Sequence, residues 1–107
     1  MKRGDIVTIA LQGDYGKPRP ALIIQSDLFS ELSSATVLPI TSHLNDLDQL
    51  RLDIEAGPKT GLAVQSQIML DKAQTLPASK VGATIGAADR ETMAAVNRAL
   101  AIFFGIA

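Results

Sequence analysis

DIVTIALQ, residues 5–12, reads as a strand, with Val7, Ile9 and Leu11 on one side and Thr8 and Gln12 on the other. A period of two is the mark of an extended segment with one face turned to a core. The next residues, Gly13-Asp14-Tyr15-Gly16-Lys17-Pro18, are dense in turn formers and end that strand in a loop. Beyond the loop, PALIIQ (20–25) is a short apolar run bounded by proline, as a buried strand would be. Strand, loop and strand at the head of the chain set the class, which is β.

Outward from this unit the pattern continues. Ser26 and Asp27 are placed to cap a brief helix through Leu32. ATVLPI (35–40) is a third strand, and Pro39 within it implies a sheet edge or a strand end. Residues 43–49 read as a loop. Leu50 to Ile54 is a fourth strand, with Leu50, Leu52 and Ile54 on one face and Arg51 and Asp53 on the other. After the loop Gly57-Pro58-Lys59-Thr60-Gly61, Leu62 to Leu70 alternates again, with Leu62, Val64, Ile68 and Leu70 in phase. The period then changes: Met93, Val96, Leu100 and Phe103 have helical spacing, with Asp89 as the N-cap and Gly105 as the stop. There is no internal repeat. The expected architecture is mainly β with a C-terminal α-helix, a small antiparallel β-barrel or curled sheet forming a single domain over residues 1–107.

Composition bounds the function. A chain of 107 residues, 47% of them apolar, is long enough for one domain with a real core. It has no cysteine, so neither disulfides nor thiolate metal sites hold it together, which fits the cytoplasm. Met1-Lys2-Arg3-Gly4-Asp5 is charged but leads into no apolar run, so no signal peptide is expected. The longest apolar stretch, Ala99 to Ala107, is far short of the ~20 residues that span a bilayer, so no membrane partner is expected. A net charge of −1 argues against a general nucleic-acid coat. Residues 1–19 nevertheless hold Lys2, Arg3, Lys17 and Arg19 against Asp5 and Asp14, which leaves room for one focused anion site.

The candidate chemistry is narrow. A single histidine, His43, rules out a histidine pair within one chain, and no HExxH, CxxC or phosphate-binding GxxxxGK is present. No metal and no cofactor are expected. Arg19 stands between Pro18 and Pro20, whose fixed φ angles restrict the backbone; a guanidinium held there suits a phosphate, or is an exposed arginine at a strand entrance. Thr41 and Ser42, at the end of the third strand, offer hydroxyls to a phosphate or cap a turn. Asp71 beside Lys72 is either a base or a turn residue. Phe104-Gly105-Ile106 reads as a core aromatic followed by a helix stop.

In order along the chain, KRGDIV (2–7), KPRPALII (17–24), VLPITS (37–42), DKAQTLPASKV (71–81) and the helix Asp89 to Leu100 resemble the MazF/PemK toxins of type II toxin–antitoxin systems. The resemblance covers nearly the whole chain. It implies a dimeric SH3-like barrel that cleaves single-stranded RNA at short motifs without a metal (an mRNA interferase) and is silenced by a cognate antitoxin. It puts Arg19 and Thr41 at the catalytic positions, with Lys17, Ser42 and Asp71 toward substrate. Two departures stand out. Some members carry an arginine two residues before the aspartate matching Asp71, where this chain has Met69, and the GDYGKP loop is short. A second likeness is to CcdB, a poison of DNA gyrase that cleaves nothing. Gln25-Ser26-Asp27 and Phe104-Gly105-Ile106 resemble parts of that toxin, which implies Phe104, Gly105 and Ile106 as contacts to the gyrase A subunit. The KRGD and KPRPAL blocks belong to the nuclease branch instead.

Overall fold

The computed structural model describes residues 1–10, 17–46 and 50–107. Its elements are β1 (Asp5–Ala10), β2 (Pro18–Ile23), β3 (Ser34–Thr41), β4 (Arg51–Ile54), β5 (Ser66–Met69), β6 (Gln74–Pro77), β7 (Val81–Ala87) and α1 (Arg90–Phe103). The sheet runs β4-β5-β3-β2-β1-β7, with β6 also on β3, and its pairings are antiparallel. No pairing joins β4 to β7 among the described residues. The sheet is therefore open, and the expected closure into a barrel is not seen.

β3 is the hub. One edge takes β2; the other takes β6 along Ser34–Val37 and β5 at Ile40 and Thr41. Ala35 faces Leu76 and Ile40 faces Ile68, so five steps along β3 match eight along the opposing chain. The excess is a 3-10 turn at Leu70–Lys72 that breaks β5 from β6. Pro39 falls in the interval between those two ladders, where a residue with no N–H to donate fits. It lies in the most central strand, near its end, and not at a sheet edge as the sequence also allowed.

Successive side chains of a strand point to opposite faces, and here both faces are apolar. Ile6, Leu22, Leu38, Ile40 and Ile68 meet Val96 of α1 in one cluster. Val7, Ile9, Ala21, Ile23 and Val37 form a second with Leu76 and Val81. This explains the unbroken ALII (21–24) that ends β2 and runs one residue past it. The helix lays Met93, Val96, Ala99 and Leu100 on the first cluster. Asp89 caps it, its carboxylate accepting the Thr92 N–H at 2.8 Å. Its other end closes as a Schellman turn: Gly105, at φ 73°, and Ile106 donate to Ile102 and Ala101 at 3.1 and 2.8 Å. The expected apolar stripe stops one turn early, since Phe103 is 43% exposed and packs edge-on against Phe104. Among the described residues no helix is long and apolar enough to cross a membrane.

Several expected boundaries shift. Leu62 is buried but Val64 is exposed, and strand structure starts only at Ser66. The Ser26-capped helix is a single 3-10 turn at Asp27–Phe29. Leu11, Gln12, the loop at 13–16 and residues 47–49 lie outside the described residues. β6 and β7 come from a stretch whose sequence carries no clear strand pattern. β7 is held by close backbone contact: a Cβ on Gly86 would stand 2.2 Å from the Thr60 carbonyl carbon. One on Gly61 would stand 2.0 Å from the Ile85 oxygen, and Ala87 donates to Lys59 at 2.9 Å. Loop 57–61 thus rests on the β7 backbone.

Candidate active site

Register brings the candidates into one row. Ile9 faces Arg19 across β1 and β2, and Ala21 faces Pro39 across β2 and β3. Carrying that second register on by two residues sets Arg19 level with Thr41, on the same face. Thr41 in turn faces Gln67, and Gln67 faces Asp53. Four adjacent strands thus present Arg19, Thr41, Gln67 and Asp53 in line. The next row holds Pro39, Met69 and Arg51.

Arg19, Thr41, Ser42, Pro39 and Met69 line one cleft of about 470 Å³. Its far wall is Gly61–Val64 with Ile85, the loop and strand that the two glycines lock together. Arg19 is exposed at the mouth, flanked by its prolines. The Thr41 hydroxyl accepts the His43 N–H at 3.0 Å. Its own hydrogen therefore remains to be donated, and a donor beside a guanidinium is what a phosphodiester oxygen requires. Ser42 and His43 are exposed on the turn that follows. Gln67 is buried, and its amide bonds both Asn45 backbone groups and the Asp53 carboxylate.

A second depression, of about 790 Å³, lies at the start of α1. It gathers Asp53, Glu55, Asp89 and Glu91 around Lys59, a charge balance that repels a nucleic-acid backbone. The first cleft is the one fitted to an anion.

The remaining candidates do not gather there. Lys17 is exposed just before β2 and is not in the cleft lining. The basic cluster of residues 1–19 is not one surface. Arg3 is spent on structure, donating to the Ile24 carbonyl and the Asn97 side chain at 2.8 Å each, while its N–H bonds Asp27 at 2.7 Å. Asp71 is also outside the lining. It pairs with Arg51, the residue across from Met69, whose side chain is 8% exposed against 20% for the aspartate. The arginine absent at position 69 has a counterpart on the neighbouring strand, and that pair braces the Leu70–Lys72 corner. Phe104 and Ile106 are exposed, at 57% and 81%, and lie away from the cleft lining.

Sequence reasoning missed Gln67. On an alternating strand it reads as an ordinary solvent-facing residue, and only the return of the Asn45 loop buries it. The wall at 61–64 was hidden for a related reason, since its position depends on contact with β7.

Comparison with known proteins bears on this arrangement. The profile of the PemK-like, MazF-like toxins of type II toxin–antitoxin systems matches residues 2–104. Over its whole length the chain is 46% identical to a Mycolicibacterium smegmatis protein named "Probable endoribonuclease MazF", covering 99% of it. Among solved structures it is similar to the Mycobacterium tuberculosis toxin MazF-mt6, with a TM-score of 0.83 and 26% identity over 96% of this chain and 98% of that one. It also resembles in fold a mycobacterial endoribonuclease solved in complex with its cognate antitoxin, at a TM-score of 0.82 and 20% identity over 100% of this chain and 97% of that one.

Proposed function

This chain belongs to the PemK-like, MazF-like toxin family of type II toxin–antitoxin systems, and from that premise we propose that it is a cytoplasmic endoribonuclease that cuts single-stranded RNA. The observation that carries the reading is the row of Arg19 and Thr41 on one cleft with Ser42 beside them.

RNA brings its own nucleophile, so the protein needs only to orient the strand and offset charge. The ribose 2′-hydroxyl attacks the adjacent phosphorus as its proton passes to solvent water, the bond to the 5′-oxygen breaks, and the products end in a 2′,3′-cyclic phosphate and a 5′-hydroxyl. Arg19 meets the charge that builds on the phosphoryl oxygens and donates a hydrogen bond to the departing 5′-oxygen, which takes its proton from water. Thr41 donates its free hydrogen to a phosphoryl oxygen, and Ser42 binds the same group. Lys17, just outside, attracts the neighbouring phosphate. None of these steps uses a metal. Asp71, tied to Arg51, is left with a structural part.

We assign two partners besides RNA. One is a second copy of the chain, since Leu28, Phe29, Leu32, Ile102 and Phe104 leave apolar surface exposed and Arg3 ties their two segments together. The other is a cognate antitoxin, as in the mycobacterial complex. The gyrase reading is not favoured by the relatives named above.

The test is incubation of the pure protein with a long RNA in EDTA, beside Arg19→Ala. Fragments with cyclic phosphate ends, lost in the variant, are expected. Intact RNA with the wild-type protein would overturn the proposal.

A further inference from the structure

We propose that Gln67 is a positioning residue that fixes the loop following Thr41 in its working shape; the catalytic part of this inference rests on the ribonuclease reading, the clamp itself does not. Gln67 is 7% exposed and stands across from Thr41 on one side and Asp53 on the other. Its oxygen accepts the Asn45 N–H at 3.0 Å, and its amino group donates to the Asn45 carbonyl at 3.1 Å. The same amino group donates to the Asp53 carboxylate at 3.1 Å.

Each of these contacts constrains the others. An ionised carboxylate only accepts, so the end of the amide that faces Asp53 must be the amino group. That leaves the oxygen for the Asn45 N–H, and the amide has a single productive orientation. A carboxamide is also the side-chain group that can meet one residue's N–H and C=O at once. Gln67 therefore treats Asn45 as a neighbouring strand would.

The stretch 42–45 is then held at both ends. Thr41 grips His43 through its hydroxyl, and Gln67 grips Asn45. Ser42, which lines the cleft, is enclosed by the first grip, between Thr41 and His43, and only Leu44 separates that turn from Asn45. Reacting groups misplaced by up to 1 Å lose rate by about tenfold to a hundredfold. Gln67 thus affects turnover without touching substrate.

Gln67→Glu tests this. The carboxylate still accepts from Asn45 but has no hydrogen for the Asn45 carbonyl, and it faces the charge of Asp53. On a short RNA substrate kcat should fall by about tenfold or more while KM moves less than about threefold. In Gln67→Leu, which removes the acceptor as well, the Asn45 backbone N–H should exchange faster with solvent, and adding Asp53→Asn to Gln67→Glu should restore part of kcat by supplying a donor. A kcat within about twofold of wild type, with Arg19→Ala inactive, would overturn the positioning role and leave the ribonuclease reading intact. A raised KM with unchanged kcat would overturn it too. If the wild-type protein cuts no RNA, the ribonuclease reading fails, and exchange at Asn45 decides the clamp by itself, unchanged exchange overturning it. Should Gln67→Glu not fold, Asp53→Ala removes one contact from an exposed position; kcat lowered by about threefold supports the clamp, and an unchanged kcat overturns it.

Discussion

Thr41 does two things through one oxygen: it accepts a backbone N–H and keeps a hydrogen for the cleft. Thr41→Ser retains both and should cut RNA at close to the wild-type rate. Thr41→Val keeps the shape, leaves the His43 N–H without its acceptor and should lose about a hundredfold in kcat, the usual cost of removing one preorganised donor. Single-turnover cleavage separates the two outcomes. Arg51 is a different case, since its role is structural. Arg51→Met leaves Asp71 with only Lys72, at 3.9 Å, and should cost about 3 kcal/mol, the low end for breaking a buried pair because the aspartate keeps some solvent. Arg51→Met with Asp71→Leu should recover most of it in chemical denaturation. At this scale the sequence offered candidates where a block could be matched, and Arg19 and Thr41 fall together on one cleft. It gave no sign of roles that depend on a cross-strand neighbour: Arg51 and Gln67 are unmarked in it, and Asp71 reads toward substrate where the fold pairs it with Arg51.

Among the elements, α1 and β1 could be read from periodicity, and β2 and β3 from apolar runs that both faces of the sheet bury. β7 could not. Its VGATIGA holds glycine where loop 57–61 must touch backbone, and the small residues that permit the contact also erase the strand signal. Gly86→Ala should therefore push that loop away, lowering the melting temperature and reducing cleavage together, since residues 61–64 wall the cleft. A loss of stability with full activity would contradict the link between loop and site. The cap of α1 gives a pH prediction. The Thr92 backbone N–H holds the Asp89 carboxyl below its ordinary value of 3.8, aided by the Thr92 side chain and the charge of Lys59. A depressed value in the folded state means stability that is present above the ordinary value and lost as pH falls through the folded one. Asp89→Asn still caps the helix but does not titrate, so its thermal midpoint should depend less on pH between about 5 and about 2 than that of wild type.

As a whole, the molecule leaves apolar side chains of the Asp27–Phe29 turn and the end of α1 in solvent, and a second copy would cover them. Light scattering after gel filtration should give twice the mass of one chain, and Phe104→Asp should shift it toward a single chain while the far-ultraviolet spectrum stays unchanged. A wild-type protein that stays single at micromolar concentration would count against the dimer. The barrel closure implied by the family resemblance is a global expectation that strand pairing does not reproduce, because among the described residues β4 and β7 end the path and do not pair with each other.

The order of strands also bears on synthesis. β1 emerges first, yet one of its two neighbours in the sheet is β7, so Ile6 waits for Gly86. The cleft needs Thr8, Arg19, Thr41, Met69 and Ile85, five positions scattered over most of the chain. A ribosome that stalls before β7 releases a fragment holding Arg19 and Thr41 but lacking the wall that faces them. Such fragments should be harmless, and toxicity begins only once a chain is nearly complete.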